Sequence, residues 1–76
     1  MIREHDLVVM NGDMPEARIS AGDVGTVVHV YPGGHAYEVE FTTLTGDTVA
    51  VVTVENAKVR PAASSDVHHS RPHAVA

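Results

Sequence analysis

The chain has 76 residues, no cysteine, and ten acidic side chains against five basic ones, which gives a formal net charge of −5. This length allows one domain, and the absence of cysteine excludes disulfides and thiolate metal sites. The negative charge argues against nucleic acid as a partner, because such binding depends on lysine and arginine contacts with phosphates. It favours a basic protein partner instead.

The first residues of the chain are polar. Residues 3–6 read Arg-Glu-His-Asp, so this end lacks the apolar core of a signal peptide. No run reaches the roughly 18 apolar residues of a membrane span. We therefore expect a cytoplasmic protein with no membrane partner.

Five short runs rich in valine and other β-branched residues predict five β-strands, because such side chains favour pleated strands. The runs span residues 6–10, 24–31, 36–42, 48–54 and 57–60. A long loop opens at Asn11, and tight reversals are predicted at Pro32-Gly33-Gly34 and Thr45-Gly46-Asp47. No apolar pattern of helical period is sustained over ten residues. The pattern predicts a small five-stranded antiparallel barrel over residues 1–61.

The third run has the clearest alternation of apolar and polar residues. Tyr37, Val39 and Phe41 are predicted to face the core, whereas Glu38 and Glu40 face water. The second and fourth runs are apolar on both faces unless a bulge changes their phase. A domain this small cannot bury both faces, so we expect a second copy to cover the surplus valine surface in a homo-oligomer.

The C-terminal segment, residues 62–76, has no large apolar residue except valine, and it is predicted to be a disordered tail. His68, His69 and His73 have a spacing that allows weak chelation of a transition metal ion. A structural zinc site needs four ligands held together by a fold, so the favoured interpretation is a tail without a metal. No cofactor is predicted.

Several segments resemble the strands of SH3-like barrels. In that class a Gly-Asp pair, here Gly22-Asp23, closes the long first loop, and a following glycine, here Gly25, permits a sharp bend. More narrowly, the chain is similar to a family of small bacterial proteins classed as domain of unknown function 4926. The similarity rests on residues 22–31, 37–41, 49–52 and 59–61. The resemblance implies an SH3-like barrel, no assigned catalytic residue, and a partner protein, of toxin-like type, beside which such chains sit.

Two glutamates are the candidate catalytic groups of the chain. Glu38 and Glu40 lie on one strand face with Cα atoms about 6.5–7 Å apart, a spacing at which carboxylates can act as general acid and base. Such a pair needs a cleft that raises one pKa, and we expect a barrel of this size to have no room for one. No serine has the context of a nucleophile. We therefore do not expect an enzyme, and the two glutamates are interpreted as solvated groups or as a surface for a basic partner.

Histidines flank the predicted turn at residues 32–34. His29 and His35 are each within reach of Glu38 across the hairpin, which would give a pH-sensitive contact. The alternative is a solvated histidine on a strand face. Polyproline recognition is not expected, since the chain has no tryptophan and few aromatic residues to line a groove.

The long first loop is the main candidate for a partner contact, because loops on a rigid scaffold commonly bind and methionine adapts to many surfaces. Met14 and Ile19 have the alternative role of folding back to cap the barrel. The predicted partner contacts are Met14, Arg18, Ile19, His29, Tyr31, Glu38 and Glu40. The predicted function is a non-catalytic protein-interaction module that binds or neutralises a protein encoded nearby. The alternative is a structural or accessory subunit of a larger enzyme.

Overall fold

The computed structural model describes residues 1–42 and 48–63. Five β-strands in this part of the chain form one antiparallel sheet. They are β1 Leu7–Met10, β2 Val24–Val30, β3 Ala36–Thr42, β4 Thr48–Glu55 and β5 Val59–Pro61. The prediction of a small all-β domain is confirmed, and no strand end differs from its predicted position by more than two residues. The predicted turn at residues 45–47 and the tail beyond residue 63 lie outside the described residues.

The strands are arranged in the order β4-β3-β2-β1-β5, and all neighbours are antiparallel. The sheet is open, since no ladder joins β4 to β5 within the described residues. This five-stranded arrangement is compatible with the SH3-like barrel expected from the sequence. After β5, the N–H of Ala62 donates to the carbonyl of Leu7 at 3.0 Å, which extends the pairing with β1 by one residue.

Short 3-10 turns connect the strands, and the described residues contain no α-helix. The 3-10 turns in this part of the chain are Pro15–Ala17, Pro32–Gly34 and Asn56–Lys58. The turn before β3 has the predicted geometry, with positive φ at Gly33 (80°) and Gly34 (68°). The last strand begins two residues later than predicted because the turn Asn56–Lys58 takes up the start of that run. None of the helical segments in the described part of the chain has the length and apolarity needed to cross a bilayer.

The core lies on one face of the curved sheet and takes side chains from all five strands and from the long loop. The predicted alternation in β3 is confirmed, since Tyr37, Val39 and Phe41 are all buried. The buried residues of the core are Val8, Met10, Ile19, Val27, Tyr37, Val39, Phe41, Val54 and Val59. On the opposite face, Thr26 of β2 and Glu38 and Glu40 of β3 are half-buried, whereas Val9 of β1 is buried.

A bulge in β2 resolves the two-sided apolar pattern of that strand. Val27 pairs with Val39 and His29 pairs with Glu38, so Val28 is an extra residue in the ladder. Before the bulge the buried side chain is Val27, and after it Val30 packs against the core. Val28 and His29 are both exposed. The bulge therefore moves two consecutive side chains to the solvent side of the sheet.

Gly25 lies inside β2 and is required by packing. A Cβ at this position would be 2.5 Å from Cγ1 of Val39 and 2.8 Å from Cε1 of Phe41. Gly25 does not have a positive φ, in contrast to Gly22 in the long loop, whose φ is 90°. Close approach between β2 and the core side chains of β3 is thus the physical reason for Gly25.

Candidate functional site

A row of polar side chains crosses the solvent side of β2, β3 and β4. His29 of β2 pairs with Glu38 of β3, and Glu38 pairs in turn with Thr53 of β4. Tyr31 follows His29 by two residues and comes directly after the end of β2. These four residues, His29, Tyr31, Glu38 and Thr53, are called the Glu38 cluster below.

Two hydroxyl groups converge on one carboxylate oxygen in this cluster. Tyr31 and Thr53 both donate hydrogen bonds to Oε2 of Glu38. The ring of His29 stands edge-on to the ring of Tyr31, with the ring centroids 4.9 Å apart and the ring planes at 89°. The ring contact orients Tyr31. The hydroxyls of Tyr31 and Thr53 fix the carboxylate of Glu38, although this carboxylate is accessible to water.

The hydrogen bonds favour the ionised form of the carboxyl group. The Thr53 hydroxyl first, and the Tyr31 hydroxyl second, hold the pKa of Glu38 below its usual value, and the nearby His29 adds a smaller effect in the same direction. The hydrogen bond to Glu38 raises the pKa of Tyr31, because ionisation would break that bond and place a second negative charge beside the first. At neutral pH the cluster therefore presents a fixed carboxylate and a neutral tyrosine.

This arrangement is suited to displaying a charge. A carboxyl group that acts as general acid near neutral pH needs a raised pKa, and Glu38 has the opposite shift. Both hydroxyls bind the same oxygen, Oε2, of this carboxylate. A positioned, ionised carboxylate of this kind can accept charge-assisted hydrogen bonds from a cationic group.

A second row on the same side of the sheet adds apolar surface and another carboxylate. Leu7 pairs with Thr26, Thr26 with Glu40, and Glu40 with Val51. Leu7 is 43% exposed and Val51 is 52% exposed. The solvent side formed by this row, the Glu38 cluster and the bulged Val28 is called the outer face. It combines two glutamates with a border of exposed aliphatic side chains.

The long loop has a different role from the outer face. Ile19 is only 1% exposed and belongs to the core, and Met14 packs against that core. Their backbones are joined by a bridge in which each N–H donates to the other's carbonyl. Met14 and Ile19 therefore fold back onto the core, which is the alternative role expected from the sequence. Ile19 is too deeply buried to contact a partner. Arg18 is exposed between them, in the left-handed region with φ of 59°.

Asp23 is a buried residue that sequence reasoning assigned only as a loop boundary. It is 1% exposed, and its Oδ2 accepts the N–H of Ser20 at 2.9 Å. Its backbone carbonyl accepts the N–H of Met10 at 2.9 Å. The residue fastens the end of the long loop to β1, in agreement with the expectation that the Gly-Asp pair closes this loop.

Sequence reasoning did not anticipate an apolar groove at the end of the sheet. The groove has a volume of about 920 Å³. Its described lining includes Ile2, Val30, Tyr37 and Val59, with Asn56 as a polar member. None of the residues that line it is a carboxylate or a histidine. The glutamates considered for acid–base chemistry thus lie outside the groove.

Histidines and carboxylates are the side chains that could bind a metal ion in this cysteine-free chain. Among the described residues, no group of three or more His, Asp or Glu side chains is placed to hold a metal ion. His35 lies over Gly33 in the turn before β3, so it contributes to the turn. The tail histidines His68, His69 and His73 lie outside the described residues.

The protein is thus a small all-β domain with a polar cluster around Glu38 on the solvent side of β2, β3 and β4. The chain belongs to the family described as Domain of unknown function (DUF4926), whose model matches residues 4–61. This confirms the family resemblance found in the sequence. Neither the curated proteins nor the solved structures contain a match to the chain.

Proposed function

We propose that this protein is a non-catalytic interaction module whose outer face binds a basic segment of a partner protein. The observation that carries the proposal is the geometry at Glu38. Two hydroxyls, from Tyr31 and Thr53, fix its carboxylate in the ionised state. A pre-positioned anion pays little ordering cost when a lysine or arginine side chain binds it.

The surroundings of Glu38 have the composition of a contact surface. Glu40 lies on the next row of the same face and adds a second negative charge. Val28 and Val51 are 40% and 52% exposed and supply aliphatic surface beside the carboxylates. An apolar patch combined with fixed charges is typical of protein interfaces, where the charges set specificity and the association rate.

The charge of the whole chain supports the same choice of partner. A net charge of −5 creates a negative potential that attracts basic proteins and repels nucleic acid. We further propose that the protein acts in a bacterial cytoplasm, where it binds or neutralises a protein encoded nearby. The alternative, an accessory subunit of a larger enzyme, uses the same face and differs only in the identity of the partner.

A capture experiment with matched variants tests this proposal. The wild-type chain and a Glu38→Gln/Glu40→Gln double variant are immobilised and exposed to lysate of the native host, and bound proteins are quantified by mass spectrometry. Glutamine retains an oxygen that can accept the hydrogen bonds of Tyr31 and Thr53, so the variant removes charge while the local structure is kept. We expect the variant to capture at least about tenfold less of the basic partner than the wild type does.

The control is a Glu4→Gln/Glu16→Gln double variant, which removes the same charge from two exposed sites that belong to neither row of the outer face. It should capture the partner as well as the wild type does. Capture should also weaken as the salt concentration rises. Equal loss in both double variants would mean that net charge alone, and not the outer face, attracts the partner. Recovery of only the protein itself would also contradict the proposal.

A further inference from the structure

The two edges of the sheet differ in how well they are protected. The edge strand β5 has only three residues, and two of them are Arg60 and Pro61. Short length, charge and proline are the usual devices that prevent an edge from pairing with another chain. The other edge strand, β4, has eight residues, and residues 48–54 include no charged side chain and no proline.

The register shows which backbone groups of β4 point away from the sheet. The N–H of Asn56 donates to the carbonyl of His35 at 2.9 Å, one position beyond the pair Ala36–Glu55. Hydrogen-bonded and non-hydrogen-bonded pairs alternate in an antiparallel ladder. Residues 50, 52 and 54 therefore direct their backbone groups at β3, whereas Val51 and Thr53 direct theirs at the open edge.

These outward groups have no backbone partner in the described part of the protein. Within residues 1–42 and 48–63, backbone hydrogen bonds from the middle of β4 go only to β3. The register shift that takes Phe41 to Ala50 and Thr42 to Thr48 lies at the start of the strand, so residues 50–55 pair regularly. A regular, uncharged edge of this kind is a template for another strand.

We propose that two copies of the chain pair antiparallel through their β4 strands. A two-fold axis near Val52 places Val51 of one copy opposite Thr53 of the other, and each of the two pairs exchanges two backbone hydrogen bonds. A second copy fits this edge because residues 48–54 are uncharged, whereas most other surfaces of a chain with a net charge of −5 repel a copy of themselves.

This interface uses backbone groups of Val51 and Thr53, whose side chains belong to the outer face, and it does not depend on the proposed function. Pairing at the edge continues the sheet from one copy into the next. The side chains of Val51 and Thr53 remain on the solvent side, next to their neighbours from the other copy. The dimer would thus carry two Glu38 clusters on one continuous surface.

The solution mass of the full chain tests the dimer. Sedimentation or light scattering from micromolar to millimolar concentration should give twice the chain mass of 8.1 kDa. Val51→Pro removes an outward N–H but no hydrogen bond to β3, so the monomer should keep its circular-dichroism spectrum. Its dimer dissociation constant should rise by at least about tenfold. If this variant does not fold, Val51→Lys gives a second test, because it places a charge at the edge.

Val28→Lys is the matched control, since Val28 is also exposed but lies on the inner strand β2. It should leave the dimer intact. Amide hydrogen exchange adds a local measurement. The N–H groups at positions 51 and 53 should exchange slowly in the wild-type dimer and rapidly in the Val51→Lys variant. A monomer at every concentration, or a dimer that Val28→Lys dissociates and the Val51 variants do not, would overturn the proposal.

Discussion

Replacement of Gly25 by alanine tests the description of the core directly. The new Cβ would lie 2.5 Å from Cγ1 of Val39, 2.8 Å from Cε1 of Phe41 and 3.0 Å from the carbonyl oxygen of Glu40. Carbon atoms in contact prefer separations of about 3.5–4.0 Å. Val39 and Phe41 would each have to move by about 1 Å, in a core where both are fully buried.

The cost of this displacement is a large part of the stability of so small a domain. Inserting a methyl group into a packed core typically costs about 1–3 kcal/mol. A domain of about 60 residues has a free energy of unfolding of roughly 3–9 kcal/mol at about 0.05–0.15 kcal/mol per residue. We expect Gly25→Ala to lower the free energy of unfolding by about 2 kcal/mol, although alanine is otherwise better than glycine in a strand.

Urea denaturation followed by far-ultraviolet circular dichroism measures the loss, since the chain has no tryptophan for fluorescence. Gly12→Ala is the control, because the nearest atom to its Cβ is Nζ of Lys58 at 3.9 Å. This control should change the free energy of unfolding by no more than about 0.5 kcal/mol. Combining Gly25→Ala with Val39→Ala should reduce the cost of the first change, because one clashing methyl is removed. Equal midpoints for the Gly25 and Gly12 variants would refute the packing described here.

Three further substitutions follow from local contacts. Tyr31→Phe removes one donor from Glu38, so the pKa of Glu38 should rise toward its usual value in a carboxyl-carbon NMR titration. In the wild type, the lowered pKa of Glu38 contributes stability that is lost as the pH falls through that pKa. In Tyr31→Phe the pKa is higher, so this loss should occur at a higher pH. Asp23→Ala leaves a loop N–H without its buried acceptor and should cost about 1–3 kcal/mol in urea denaturation. Gly33→Ala should lower the thermal midpoint more than Gly34→Ala does. Both glycines have positive φ, but only at Gly33 would a Cβ also meet a neighbouring imidazole.

Each of these changes has a counterpart that isolates the cause. Tyr37→Phe removes a hydroxyl that accepts from Asn56 at 3.1 Å, and it should leave the pKa of Glu38 unchanged. Asp13→Ala removes an exposed carboxylate that accepts the N–H of Ala21 at 2.8 Å, and it should cost less than the change at the buried Asp23. Equal losses for the two aspartates would contradict the structural role assigned to Asp23.

The strands could be predicted because their signals are local. Valine-rich runs bounded by glycine and proline define the strands, and alternation in β3 defines its buried face without knowledge of its neighbours. The sequence pattern predicts the start of the last strand two residues too early, because the 3-10 turn Asn56–Lys58 has no distinct pattern of its own. Turn chemistry of that kind depends on how the strand docks on β1, which the local sequence does not record.

The site could be predicted only in part because it depends on register. The sequence predicts His29, Tyr31, Glu38 and Glu40 as partner contacts, and the structure places all four on the outer face. Thr53 was missed, since a threonine on a strand is usually an ordinary surface residue and only the β3–β4 register brings it to Glu38. Nothing in the local pattern distinguishes it from its neighbours.

The bulge at Val28 connects the fold to the candidate site. If β2 paired with β3 without the extra residue, the side chains after Val27 would alternate strictly, and His29 would point into the core with Val27. With the bulge, His29 stands opposite Glu38 on the solvent side, while Val30 returns to the core. The same residue adds its own exposed aliphatic side chain to the outer face. A single insertion in one strand therefore places the histidine beside the carboxylate and supplies part of the apolar border, at no loss to the core.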